Sequence, residues 1–189
     1  MQTKLTALLI ATALSATALA APEKFVLDTT HTYPSFEVNH LGFSITRGFF
    51  KETEGTLELD RAAKTGKLEA TIKASSIETG LGKRDDHLRG KDFFNVAEFP
   101  TAVVKADKFV FEGDKPVKAE GNLTMLGVTK PVTLNITPMK CDMRMGKDFV
   151  CGADVTTVIK RSDWGMKAYV PFVGDDVKIT VQVEAEKQK

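Results

Sequence analysis

Few residues in this chain could do chemistry. Its three histidines, His31, His40 and His87, are the natural metal ligands, but none stands at a short ligand spacing from another. A metal site would have to be assembled in space from all three. Asp85 and Asp86 are adjacent, so on a helix their carboxyls diverge and make a poor acid–base pair. Asp85 better suits the amino end of a helical turn, where a carboxylate meets the positive end of the dipole. No serine sits in a nucleophile elbow, and no glycine-rich phosphate loop precedes a helix. These residues describe a non-enzymatic protein with no metal and no cofactor.

The two cysteines, Cys141 and Cys151, are centred on Gly146. Counting outward pairs Arg144 with Asp148 and Cys141 with Cys151, and opposed positions on antiparallel strands come within disulfide range. Closing a loop of about ten residues is worth about 2.7 kcal/mol in a chain-entropy model. No CxxC redox motif is present, so the pair reads as structural.

Disulfides persist outside the cytoplasm, and the amino terminus agrees. Residues 1–20 hold Lys4 as their only charge, an apolar run from Leu8 to Ala18, and the small-x-small pattern Ala18, Leu19, Ala20. That is a cleavable signal peptide, too short and too rich in alanine and threonine for an anchor. Residues 21–189 then form one periplasmic domain with no transmembrane segment. Without Lys4, acidic and basic residues balance, which leaves no electrostatic footprint for nucleic acid and no basic cluster for anionic lipid.

Period-two alternation, the mark of half-buried strands, runs through most of what remains. Phe36, Val38 and His40 share one face of the strand from Ser35. Leu57 and Leu59 face inward opposite Leu68, Ala70, Ile72 and Ala74, a hairpin whose turn ends on Gly66 in the left-handed conformation. A long strand from Thr101 to Glu112 places Phe109 and Phe111 on the face of Val103. Val117, Ala119, Gly121, Leu123 and Met125 alternate with polar residues; Gly127 and Pro131 frame the next turn, and Val132, Leu134 and Ile136 follow. The parity shift after Pro138 predicts a bulge. The last strands are 149–161 and 175–186, joined by a loop holding Trp164, Met166, Tyr169 and Phe172.

One stretch, Arg84–Pro100 (RDDHLRGKDFFNVAEFP), breaks the alternation. Gly90 divides it into a charged turn, Arg84–Arg89, and an aromatic turn with Phe93 and Phe94. Neighbours on a helix point about 100° apart, so one ring is expected to plug the barrel end and the other to pack outward or against a ligand. The expected architecture is all-β, an antiparallel barrel of about eight strands with this one short helical insertion as a lid. Small inward residues (Ala70, Ala74, Ala119, Gly121, Ala153) would leave an elongated apolar cavity; pattern alone leaves a filled core open.

The blocks FVLDTTHTYPSFEVNHLG, RDDHLRGKDFFNVAEFP, GNLTMLGVTKPVTL and IKRSDWGMK, in this order, resemble the YceI family of exported bacterial proteins. The resemblance covers essentially all of residues 21–189. It implies a lipocalin-like barrel that holds a long amphipathic molecule: a polyisoprenoid, an isoprenoid quinone or, in some members, a fatty amide. Arg84, Asp85 and Gly165 fall in its blocks, as do His40, His87, Leu88, Phe93, Phe94 and Trp164. With the inward residues Phe36, Val38, Phe109, Leu123 and Met125 and the loop residue Tyr169, the last six make up the candidate ligand-binding set, and Arg161 is a further polar candidate near the mouth. The cysteine pair is not general in that family and rests on its spacing.

Burying about 500 Å² of polyprenyl surface yields about 12 kcal/mol gross, so binding needs no charged anchor even after the cost of association. The reading is a periplasmic carrier with an isoprenoid lipid or quinone as its ligand. The alternative is an envelope interaction or stress-related module with a filled core, and an open strand edge would permit a homodimer. Intact mass of the native protein should show no free thiol; two free thiols would dismiss the pairing of Cys141 with Cys151.

Overall fold

The computed structural model describes residues 21–189; the signal-peptide assignment, residues 1–20, lies outside the described residues. Twelve strands and one helix follow in the order β1 (Glu23–Leu27), β2 (Tyr33–His40), β3 (Ser44–Phe50), β4 (Thr53–Asp60), β5 (Thr65–Lys73), β6 (Ile77–Glu78), α1 (Gly82–Arg89), β7 (Thr101–Glu112), β8 (Lys115–Met125), β9 (Val128–Ile136), β10 (Lys140–Arg144), β11 (Asp148–Lys160) and β12 (Val173–Lys187). Eight of these, β1, β4, β5, β7, β8, β9, β11 and β12, form an antiparallel ring closed by the pairing of β11 with β12. That is the eight-stranded barrel with one helix anticipated from the pattern.

The remaining strands continue walls already begun. β1 and β2 lie along one edge of β12, interrupted at residues 28–32. β3 runs into β4 across Lys51 and Glu52, and β10 continues the line of β9 along β11. One end, called upper here, carries the β2–β3 and β8–β9 turns, α1 and residues 161–172. The lower end carries the start of β1 and the β4–β5, β7–β8 and β10–β11 turns.

The β10–β11 register is the one counted outward from Gly146, Arg144 opposite Asp148 and Cys141 opposite Cys151, and the expected β4–β5 hairpin sets Leu57 opposite Leu68. The cysteines are joined in a disulfide. Four local readings change. The left-handed residue of the β4–β5 turn is Lys64, not Gly66, which lies in β5. A register shift between Ala106 and Lys108 reverses the parity of β7, so Ala102, Val104 and Ala106 face inward with Phe109, and Val103 does not share their face. Pro131 belongs to β9, opposite Asn122; the β8–β9 turn is made by Leu126 and Gly127, both at positive φ. After Pro138 the strand breaks rather than bulges, with Met139 turned into the core.

The lower end is filled. Phe25, Leu27, Leu57, Leu59, Ala70, Met139, Cys151 and Ala185 form one buried cluster. Arg61 crosses beneath it, donating to Glu23 at 2.8 Å and to the Asp114 carbonyl at 3.0 Å, with Nη2 3.2 Å from Cys141 Sγ. A second cluster gathers Ala106, Ala119, Leu123, Met125, Val132, Leu134, Ile159 and Trp164. β9 meets β11 only through Ile136 and Asn135, and Trp164, 3% exposed, packs in this cluster with its Nε1 donating to the Leu123 carbonyl at 3.1 Å.

Outside the wall, Arg144 ties the end of β1 to β12. Its guanidinium donates to Asp28 at 2.7 Å and reaches Glu184 and Glu186. Burial opposes ionisation of Asp28, but hydrogen bonds from Thr30, Arg144 and His31 outweigh it and hold the carboxyl well below the usual carboxylate range. A depressed carboxyl stabilises the fold above its unfolded pKa of about 3.9 and loses that contribution as pH falls through the folded value. Asp28→Asn should therefore cost about 1–2 kcal/mol at neutral pH in chemical denaturation. The gap to the unsubstituted protein should hold to about pH 5 and close in stronger acid; a gap that widens in acid would exclude this role for Asp28.

Candidate functional site

Between the filled lower end and the α1 cap lies a chamber of about 700 Å³, within the range of small-molecule sites. Its space comes from short inward side chains, Ala70, Ala74, Ala119 and Ala153. Gly121 plays a different part: a Cβ there would collide with the Lys105 carbonyl and Ala106 Cα, so glycine lets β8 approach β7. Two other glycines make room for lining rings. A Cβ on Gly48 would fall 2.5 Å from the Phe36 ring, and one on Gly66 would fall 2.8 Å from Phe109.

Of the candidate residues, Phe36, Val38, His40, His87, Leu88, Phe93, Phe94, Phe109, Leu123, Met125 and Tyr169 all line this chamber. Trp164 does not line it; it belongs to the surrounding cluster. Phe93 and Phe94 line the same chamber, against the expectation that they diverge. They lie in turns after α1, not on a helix, and the chain folds back so that the Phe94 N–H reaches the Leu88 carbonyl at 3.0 Å and that of Asn95 reaches Gly90 at 2.8 Å. Phe94 meets Phe50 edge-on at 5.4 Å between centroids, while Phe93 meets His87 at 5.1 Å and stacks with Tyr169 at 6.2 Å.

The cap is tied down by its polar residues. Buried Asp85, in the first turn of α1, accepts from Thr79 Oγ1 at 2.5 Å. Arg84 donates to the Thr79 carbonyl at 2.7 Å, and Arg89 to those of Ser75 and Ile77 at 2.9 and 2.8 Å. Arg161, offered as a head-group contact, does line the chamber, but its donors are engaged by the fold. Only 4% exposed, it donates to the carbonyls of Gly174, Met166, Ala168 and Val173 at 2.8–3.0 Å and so shapes the loop after β11.

The histidines are separately engaged: His31 bonds Asp28 at 2.9 Å, His87 packs against Phe93 and Tyr169, and His40 lies on the upper rim of the chamber. Asp28, His31 and Glu184 bring potential ligand atoms within 4.8 Å of one another. The Arg144 guanidinium, 2.7 Å from Asp28 and 3.4 Å from Glu184, already supplies the cation there.

Sequence reasoning missed Phe50, Met139, Met166 and the polar pair Ser44 and Thr46, all on the chamber wall. For Ser44 and Thr46 the signal was available, since they continue the parity of Phe50 up β3.

A closed antiparallel barrel around an apolar chamber is a lipocalin-like architecture. Residues 25–185 match the family model described as YceI-like domain, and the chain belongs to that family. It is 35% identical over 175 residues to Protein YceI of Salmonella arizonae, covering 91% of this chain and 90% of the relative. A UPF0312 protein of Photorhabdus laumondii is 33% identical over 180 residues, 93% and 91% of the two chains. Among solved structures, the YCEI protein of Campylobacter jejuni superposes with a TM-score of 0.69 at 28% identity, over 80% of this chain and 90% of that one. A polyisoprenoid binding domain from Saccharophagus degradans shares the fold, with a TM-score of 0.63 at 16% identity over 87% and 98%.

Arg161→Lys keeps the charge but cannot reach four carbonyls. It should lower stability by about 3 kcal/mol in thermal or chemical unfolding; melting indistinguishable from the original protein would remove Arg161 as organiser of the loop.

Proposed function

We propose that this protein is a non-enzymatic periplasmic carrier that sequesters a long amphipathic lipid, a polyisoprenoid or isoprenoid quinone, inside the barrel. The observation that carries this reading is the chamber: about 700 Å³ lined mainly by aliphatic and aromatic side chains. An apolar void forfeits dispersion contacts that a hydrocarbon guest restores. The filled core required by the interaction-module alternative is not what the interior holds. The charged and imidazole groups of the lining, His40, Arg84, His87 and Arg161, stand at the upper end with Ser44 and Thr46, while Thr32 and Ser35 lower on the wall give their hydroxyls to wall carbonyls, so the head group would lie at the upper end and the tail would descend towards Met139 and Cys151. The distant Saccharophagus degradans domain, called polyisoprenoid binding, shares this architecture and is consistent with the reading. Export by the segment 1–20 is part of the proposal.

Solvent extraction of the purified protein, followed by mass spectrometry, should find a co-purifying apolar molecule, and the emptied protein should take up ubiquinone. Replacing Phe93 and Phe94 with alanine should weaken retention about tenfold or more, since two lining rings leave the contact surface. An empty barrel that also refuses ubiquinone would overturn the reading.

A further inference from the structure

We propose that the protein docks on a lipid bilayer by its upper rim, with Phe43 and Phe172 entering the interfacial layer so that the chamber opens onto the membrane. This rests on the lipid-carrier reading. At its tip the β2–β3 hairpin turns the barrel's alternation inside out. His40, Ser44 and Thr46 face the chamber, while Leu41, Phe43 and Ile45 are exposed, Phe43 at 89%. On β5, by contrast, the outward set is polar, Lys67, Glu69, Thr71 and Lys73 beside inward Leu68, Ala70 and Ile72, and exposed apolar residues on other strands, such as Val110 and Val158, stand singly. Apolar outside and polar inside is the pattern of strands that meet hydrocarbon.

The patch continues across the rim. Phe172, 69% exposed, is held beside the hairpin by its carbonyl, which accepts from the Leu41 N–H at 2.8 Å. Tyr169 both lines the chamber and is more than half exposed, so patch and entrance are continuous. Scattered exposed apolar residues are ordinary, but a contiguous group marks a contact surface. Leu41 and Gly42, both at positive φ, make the tight turn from which Phe43 projects. A projecting ring suits a deformable partner, whereas a second copy would have to supply a matching recess. Charge gives no competing instruction: Lys83 and Lys91 of the cap share their segment with Asp86 and Asp92, and Lys167 follows Asp163. Apolar insertion should therefore dominate and depend little on salt.

The test is co-sedimentation of the purified protein with phosphatidylcholine vesicles, beside uptake of detergent-dispersed ubiquinone. The combined variant Phe43→Ser, Phe172→Ser should lower the vesicle-bound fraction about tenfold or more, with dispersed ubiquinone uptake unchanged. Val158→Ser, an exposed apolar position on the barrel wall, should leave both unchanged. Docking is overturned if the original protein ignores vesicles while taking up ubiquinone, if the double variant binds vesicles like the original, or if its only effect is to abolish self-association. Failure of ubiquinone uptake with vesicle binding intact would instead overturn the carrier reading.

Discussion

Ring closure is the constraint on which the rest of this structure depends. β12 pairs with β11 along one edge and with β1 and β2 along the other, so its backbone groups are satisfied on both sides and the sheet cannot collapse inward. Interiors otherwise fill themselves, since every unfilled volume costs contacts. Here a hydrogen-bonded wall holds the walls apart, and short side chains facing each other across the ring leave a gap that neighbours cannot close. Packing and open volume are separated along the axis: the lower end is packed by large residues over the Arg61 tie, and the chamber lies above it.

The polar groups within the wall follow the same division. Thr32 and Ser35 donate their hydroxyls to the carbonyls of Glu184 and Thr180, and Arg161 spends its donors on four carbonyls. Thr53 alone among the described residues keeps a buried hydroxyl without a partner, a local cost of the bend where β3 passes into β4.

How much of this could be read from residue order varies by element. The β4–β5 hairpin, β8 and the cysteine pairing were legible because alternation and turn spacing are local. Val103 was misplaced because the bulge at Asp107 is a register event between strands, with no mark in its own sequence beyond the parity it disturbs. Phe93 and Phe94 were misjudged because a helical period was applied to residues that fold back on the end of α1. Arg161 does reach the chamber wall, but a charge beside a tryptophan carries no record of the carbonyls that engage its donors. Alternation reports which way a side chain points, not how far away the opposite wall stands, so chamber and filled core could not be told apart without the fold.

The strand edges left over from closure also bear on solubility. Among the described residues, unpaired edges occur on β6, on β10, on β3 between Ser44 and Gly48, where Arg47 and Gly48 interrupt the apolar pattern, and across the gap between Val128–Leu134 of β9 and Thr157–Lys160 of β11. Each could seed a growing stack of strands. β6 is only two residues long, and β10 is five and cross-linked to its neighbour. The β9 stretch is longer but contains Pro131, which has no N–H to offer, next to the charge of Lys130. A barrel that closes imperfectly is thereby denied the long, regular template that fibre growth requires, so the gap in its wall does not become a route to aggregation.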